Sequence, residues 1–134
     1  MGLVMRARVG VACDEASARS AMRDHLRGAG FAVSSAGDLP GLSLLLHRHR
    51  LTRSRLDALV VEPSDGPLGV CWTGLESLRL DRRGVPVVLV AAPERVGETL
   101  RKRLAAVSIV PKTSPRTLDL ITQSLGYLMP LAQR

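Results

Sequence analysis

Aromatic residues are nearly absent from this chain of 134 residues, which has one Trp, one Tyr and one Phe. Proteins that hold single-stranded nucleic acid stack its bases on several aromatic side chains, so the composition argues against that class of function. Cysteine is also scarce: Cys13 and Cys71 are too few for a disulfide scaffold and are not spaced as zinc ligands are. We expect two buried, reduced thiols; a reversible disulfide or thiol sensor is the alternative.

Long hydrophobic runs are missing as well. No apolar stretch approaches the roughly 20 residues that a membrane-spanning helix needs, and the first eight residues lack the apolar region of a signal peptide. We therefore expect a cytoplasmic protein with no membrane contact. The length and the 46% hydrophobic content predict a single domain over residues 1–134, with its core over about 7–128.

The formal charge of +7 comes mainly from Arg residues scattered along the chain. They are dense in one stretch, where Arg48, Arg50, Arg53 and Arg55 form a candidate basic contact patch. A solvated surface explains such a patch, and acidic protein partners would also fit it. Direct nucleic-acid binding is a further alternative, but no helix-turn-helix follows, so only a weak, nonspecific contact would be expected.

Short β-branched apolar runs alternate with longer segments of helical period, a pattern typical of a parallel sheet with crossover helices. The predicted strands are Arg8–Ala12, Phe31–Ser34, Ala58–Val61, Pro86–Val90 and Ile109–Val110. The predicted helices cover about Ser17–Gly28, a segment after the turn Gly37–Pro40, a segment from near Thr73, Pro93–Ala105, and a last helix from Ser114. The chain is thus predicted to be an α/β protein with five βα units, a doubly wound sandwich.

Each predicted helix carries apolar residues at helical spacing. The first should bury Ala18, Ala21, Met22 and Leu26. The last should begin with Ser114 as N-cap and Pro115 in its first turn, and it should bury the stripe Leu118, Ile121, Leu125 and Leu128.

Motifs of common enzyme classes are missing. No glycine-rich phosphate loop follows the first strand, and no nucleophile elbow is present. The histidines, His25, His47 and His49, are not paired with a nucleophile. We expect His25 at the edge of the first helix's buried stripe and the other two in solvent. The chain is therefore predicted not to be an enzyme.

Ligands of open parallel sheets gather where the strands end, so the residues at these ends are the candidates for a site. They are Cys13, Asp14 and Glu15 after the first strand, Glu62 after the third, Ala91 after the fourth and Lys112 after the fifth. We expect Asp14, Glu15, Glu62 and Lys112 to converge on one pocket.

Over about residues 7–128 the chain resembles the receiver domains of bacterial response regulators, the CheY-like superfamily. The matching segments are Arg8–Glu15, Asp57–Glu62, Val85–Ala92 and Val110–Pro115. Arg8–Glu15 is similar to the family's first strand with its acidic pocket, and Asp57–Glu62 to the strand that ends in the phosphoacceptor aspartate. Val85–Ala92 is similar to the strand that ends in Thr or Ser, and Val110–Pro115 contains the expected lysine. The resemblance implies a flavodoxin-like sheet of order 2-1-3-4-5, with Asp14 at the position of a metal-binding acid.

Four departures from the family pattern affect its phosphorylation chemistry. Glu62 replaces the nucleophilic Asp, and its extra methylene moves the carboxylate by about 1.5 Å. Cys13 replaces a metal-binding acid with a thiol, which Mg²⁺ does not favour. Ala91 lacks the hydroxyl that would bind a phosphoryl oxygen, and Ile109 replaces the aromatic switch residue. The sequence therefore resembles a degenerate pseudo-receiver.

The residues that remain allow several interpretations. Lys112 should pair with Glu62 or Asp14, because an unpaired buried charge is costly. The Glu62–Lys112 pair would also imitate the phosphorylated state and fix one conformation. No cofactor is expected, and residual Mg²⁺ binding through Asp14, Glu15 and Glu62 would be weak. The loop from Glu62 to Gly74 contains Trp72 and allows three interpretations: a lid over the pocket, a partner-binding surface, or neutral drift in a surface loop.

These features predict a phosphorylation-independent receiver domain that acts in signal transduction through protein contacts. The partner would be a second copy or an output domain, docked through the helix over Pro93–Ala105 and the last helix, a surface taken from family analogy. The alternative is a phosphorelay receiver that still accepts phosphate at Glu62 or Asp14.

Overall fold

A computed structural model of the chain describes residues 7–50, 56–63, 85–91, 107–112 and 114–132. The described strands are β1 (Arg8–Cys13), β2 (Ala32–Ala36), β3 (Ala58–Glu62), β4 (Val87–Val90) and β5 (Val107–Val110). The described helices are α1 (Ala16–Gly28), α2 (Leu39–Arg50) and α3 (Thr117–Ala132), the last of which is the predicted C-terminal helix. The helices predicted from near Thr73 and over Pro93–Ala105 lie outside the described residues.

The strands form one five-stranded parallel sheet in the order β2-β1-β3-β4-β5, which confirms the predicted fold class and strand order. Strand β1 lies between β2 and β3, with Val9 opposite Val33 on one side and Ala58 on the other. Since all strands run in the same direction, their carboxyl ends lie at one edge of the sheet, and Cys13 is opposite Glu62 there.

Helices cover both faces of the sheet, and each face has its own hydrophobic cluster. Successive strand residues point to opposite faces, so Val60 and Val61 belong to different clusters. The larger cluster packs the strands against Met22 and Leu26 of α1 and Ile121, Leu125, Leu128 and Met129 of α3. The smaller cluster packs them against Leu39 and Leu42 of α2. Helix α2 therefore lies on the face opposite α1 and α3, as a doubly wound sheet requires.

Helix α2 packs closely against β1 at Gly10. A Cβ atom at this position would lie 2.7 Å from Leu56 Cδ1 and 3.2 Å from Leu42 Cδ2. Side chains of both leucines thus occupy the space above Gly10, and the missing side chain permits the approach.

Helix α1 ends in a Schellman motif. The Phe31 N–H donates to the Leu26 carbonyl at 3.1 Å, and the Gly30 N–H donates to the Arg27 carbonyl at 3.0 Å. Gly30 has a φ of +101°, a conformation that residues with a Cβ seldom adopt. Phe31 then packs on the cluster that contains Leu26, and this turn directs the chain into β2.

Two helix predictions were partly wrong. Ala21 is exposed, because the buried stripe of α1 is narrow: Met22 and Leu26 are buried and Ala18 is partly buried. The last helix begins at Thr117, three residues after the predicted N-cap. Ser114 instead stabilises a turn before the helix, where its Oγ accepts from the Arg116 N–H at 3.1 Å.

The start of α2 also differs from the prediction. Leu39 and Pro40 were predicted to belong to a turn, but α2 begins at Leu39. Asp38 explains the earlier start, since its Oδ1 accepts from the Gly41 N–H at 2.7 Å, as an N-cap residue does. The prediction for His25 is confirmed: its side chain is partly buried and its Nε2 lies 3.7 Å from Asp119 Oδ1 on α3. None of the described helices is long and apolar enough to cross a membrane.

Candidate functional site at the carboxyl edge of the sheet

Cys13 and Glu62 meet where the neighbouring strands β1 and β3 end. The Cys13 thiol donates to Glu62 Oε2 across 3.1 Å, and the two residues are opposite each other in the strand register. Cys13 is fully buried and Glu62 is 8% exposed. The resemblance implied a metal-binding acid at this position, and the thiol acts here as a hydrogen-bond donor to the carboxylate.

Lys112 brings the opposite charge to the same carboxylate. Its Nζ lies 3.0 Å from Glu62 Oε1, so each carboxylate oxygen has a contact of its own. The Glu62 side chain is 7% exposed, whereas that of Lys112 is 48% exposed. Burial of a carboxylate is costly unless a cation and hydrogen bonds compensate it, and this site supplies both. The predicted pairing of Lys112 with Glu62 is therefore present.

The environment of Cys13 suppresses its reactivity. Burial first, then the hydrogen bond to Glu62 and the negative charge of Glu62, raise the pKa of the thiol from 9.0 to about 12. The thiolate is the reactive form of cysteine, so this thiol is protonated and inert near neutral pH. The predicted buried thiol is confirmed for Cys13, while Cys71 lies outside the described residues.

The two acidic residues that follow β1 have exposed side chains. Glu15 is the N-cap of α1, where its carbonyl accepts from the Arg19 N–H at 2.9 Å and its Oε1 accepts from the Ser17 hydroxyl at 2.7 Å. The side chain of Glu15 is thus used at the start of the helix.

The resemblance to receiver domains implies a bound Mg²⁺ ion, and the donor set around Glu62 does not fit one. Within the described part of the chain, no group of three or more His, Cys, Asp or Glu residues could bind a metal ion. The thiol at position 13 is protonated, and the oxygens of Glu62 contact the thiol and an ammonium group. Mg²⁺ requires several hard oxygen ligands in a near-octahedral arrangement, which these residues do not offer.

The two remaining pocket positions carry apolar side chains. Ala91 follows β4 and is 2% exposed, and its N–H donates to the Val110 carbonyl at 3.1 Å. Its methyl group cannot donate to a phosphoryl oxygen. Ile109 lies in β5 opposite Leu89 and is partly buried. It has no ring that could turn as the family's aromatic switch residue does.

Besides the bond from Cys13 to Glu62, the sequence did not predict a second contact at this edge. Arg19 reaches back from the first turn of α1, and its Nη1 donates to the Cys13 carbonyl at 2.8 Å. This bond links α1 to the last residue of β1. A basic residue four positions after the helix N-cap was the available signal, but the excess of arginine in the chain made it inconspicuous.

The predicted basic patch is described only in part. Arg48 lies on α2 with an exposed side chain, and Arg50 is the last residue of that helix. Arg53 and Arg55 lie outside the described residues, as does Trp72.

Comparisons with known proteins identify the fold. No family model matches the chain, and no curated protein matches it. Solved structures do match. Chemotaxis protein CheY4 of Vibrio cholerae is 18% identical with a TM-score of 0.72, covering 92% of this chain and 99% of that one. A response regulator receiver protein from Sinorhizobium medicae is 19% identical with a TM-score of 0.68, covering 93% and 95%.

A third structure is that of the response regulator protein TrrA from Thermotoga maritima in complex with Mg²⁺ and BeF. It is 15% identical with a TM-score of 0.67, and the match covers 91% of this chain and 98% of that one. The chain therefore has the CheY-like fold of receiver domains. Within this fold, the contacts of Glu62 with Cys13 and Lys112 are the features relevant to the function of this chain.

Proposed function

We propose that this protein is a phosphorylation-independent receiver-like domain that acts in signal transduction through protein–protein contacts. The observation that carries the proposal is that both carboxylate oxygens of Glu62 already have partners. One oxygen contacts the Lys112 ammonium, and the other accepts a hydrogen bond from the Cys13 thiol. Phosphoryl transfer needs a carboxylate oxygen that is free to attack in line and a divalent ion beside it. Neither requirement fits these residues.

The same contacts support a permanently fixed state. In a phosphorylatable site, the charge near the acceptor changes when phosphate arrives. Here the Lys112 cation and the Glu62 anion neutralise each other directly at the edge of the sheet. The domain would then present one surface to its partner at all times, either a second copy or an output domain. The helix predicted over Pro93–Ala105 together with α3 is the proposed contact surface.

Phosphorylation is tested by incubating the purified protein with acetyl phosphate, with and without Mg²⁺, and measuring its intact mass. We expect no gain of a phosphoryl group, and no change in amide chemical shifts on adding beryllofluoride with Mg²⁺. A matched positive control is the triple variant Cys13→Asp, Glu62→Asp, Ala91→Thr, which restores the missing oxygen ligands, nucleophile and hydroxyl.

Stable phosphate uptake by the unaltered protein would overturn the proposal in favour of a phosphorelay receiver with an unusual acceptor. The variants Glu62→Gln and Asp14→Asn would then identify the carboxylate, since Asp14 is exposed and available to a donor. The contact mode has its own test by analytical ultracentrifugation. Tyr127 is 72% exposed on α3, so Tyr127→Glu should weaken self-association if α3 takes part.

A further inference from the structure

Helix α2 carries an exposed stripe that takes no part in the contacts of Glu62. Its exposed residues Pro40, Leu44, His47 and Arg48 follow the spacing of one helix face, while Leu39 and Leu42 face the sheet. Leu44 is 70% exposed and is one of two large hydrophobic side chains exposed to that degree among the described residues. A single exposed leucine is ordinary on a protein surface, so its functional interpretation depends on the polar and charged residues around it.

The stripe lies in a segment of the chain that is rich in basic residues, with the exposed Asp38 just before it at the start of α2. From residue 39 to residue 56 the chain has no Asp or Glu, while it has two His and four Arg residues. The ion pairs of the described residues include neither His47 nor Arg48. This surface therefore presents the Arg48 cation, which forms no ion pair with a described acid, beside His47 and the apolar side chain of Leu44.

We propose that the α2 stripe, Leu44 with His47 and Arg48, is a docking surface for an acidic amphipathic protein segment. A carboxylate of the partner would pair with Arg48, and an apolar side chain would cover Leu44. Duplex DNA matches the charge equally well, but its phosphate backbone offers nothing apolar to Leu44. This surface lies on the sheet face opposite α3, so the inference does not depend on the function proposed above.

The binding probe is a fluorescein-labelled synthetic peptide rich in Glu, with Leu at helical spacing, and fluorescence anisotropy is the measurement. Its control is the same peptide with every Leu replaced by Ser. We expect the full-length protein to bind the Leu-containing peptide, to bind the Ser peptide about tenfold more weakly, and to lose affinity as salt rises.

Variants of the protein locate the surface. Arg48→Glu and Leu44→Ser should each weaken peptide binding about tenfold. Leu44→Met should retain the affinity of the unaltered protein, because Met keeps the apolar contact. Arg27→Glu is the matched charge reversal, since Arg27 is exposed on α1 at the other face of the sheet, and it should leave binding within about twofold. Circular dichroism establishes that each variant is folded.

Three results would overturn the inference. One is the absence of peptide binding at low salt. Another is equal binding of the Leu and Ser peptides, which would leave a purely ionic surface. The third is tighter binding to duplex DNA of random sequence than to the Leu-containing peptide, with the DNA binding abolished by Arg48→Glu. That result would assign the stripe to nucleic acid. Phosphate uptake by the protein would leave the inference intact while overturning the function proposed above.

Discussion

Cys13 and Glu62 are 49 positions apart in the chain, and the thiol sulfur of one lies 3.1 Å from a carboxylate oxygen of the other. The contact exists because β1 and β3 are adjacent and end at the same level of the sheet. Lys112 completes it from the end of β5. A carboxylate held in this way serves the stability of the domain, and its contribution can be measured.

A double-mutant cycle tests the Glu62–Lys112 pair. Lys112→Met should lower the free energy of unfolding by about 1–2 kcal/mol, because the buried carboxylate loses its cation. We expect a coupling energy of about 1 kcal/mol with Glu62→Gln, modest because Lys112 is half exposed to solvent. Urea denaturation provides the values. Arg116→Met, an exposed change near the same edge, is the control and should be neutral. A coupling energy near zero would mean that the pair contributes nothing.

The Cys13 thiol should make stability depend on alkaline pH. Its pKa is raised to about 12 in the folded protein from an ordinary value of 9.0. The unfolded chain therefore releases this proton first, so the stabilising effect is complete below pH 9 and is lost as the pH rises towards 12. The slope is at most about 1.4 kcal/mol per pH unit. Cys13→Ser keeps a hydrogen-bond donor but does not titrate here, and its stability should fall less steeply over this range. Identical slopes would contradict the assignment.

Gly30 should resist substitution. Because its φ is +101°, Gly30→Ala should lower the free energy of unfolding by about 1–2 kcal/mol through backbone strain in the Schellman motif. Gly28 is the matched control: it is the last residue of α1 and has open space around it, so Gly28→Ala should be neutral or slightly stabilising. Thermal unfolding of the two variants gives the comparison, and equal effects would argue against the strained conformation.

Leu125 ties α3 to the sheet. The side chain is fully buried in the larger hydrophobic cluster, and Leu125→Ala should cost about 2–5 kcal/mol through lost burial and the cavity left behind. Gln123 is exposed on the same helix, and Gln123→Ala should change stability by less than about 0.5 kcal/mol. A small effect of Leu125→Ala would mean that α3 is loosely attached.

The fold could be predicted from the sequence because its strands are short, almost purely apolar and separated by segments of helical period. Val87–Val90 shows the reason: a strand buried on both faces needs apolar residues at every position, and this pattern is hard to mistake. Helix ends were predicted less well. The side chain of Asp38 and the turn at Ser114 set the starts of α2 and α3, and such local hydrogen bonds compete with several similar possibilities in the sequence.

The site was predictable to the extent that strand order fixes neighbours. Only β4 separates β3 from β5, so Glu62 at the end of β3 and Lys112 after β5 lie at the same edge of the sheet, and a long lysine side chain can span the gap. The cost of a buried carboxylate without a cation favours their pairing. The hydrogen bond from Cys13 to Glu62 was not predicted. A thiol in place of an acid predicts the loss of a metal ligand, and it does not by itself predict a hydrogen bond to a neighbouring carboxylate. The reach of Arg19 to the Cys13 carbonyl depends on rotamers that no residue pattern specifies.

The strand order implies a direction of growth during synthesis. Once β1 and β2 have paired, β2 closes one side of the sheet, so β3, β4 and β5 can only be added one after another on the other side. A chain that emerges amino-terminus first can follow this sequence without rearranging strands already in place. Lys112 leaves the ribosome after the last of them, and until then the Glu62 carboxylate of a nascent chain lacks the ammonium group that contacts it in the folded domain.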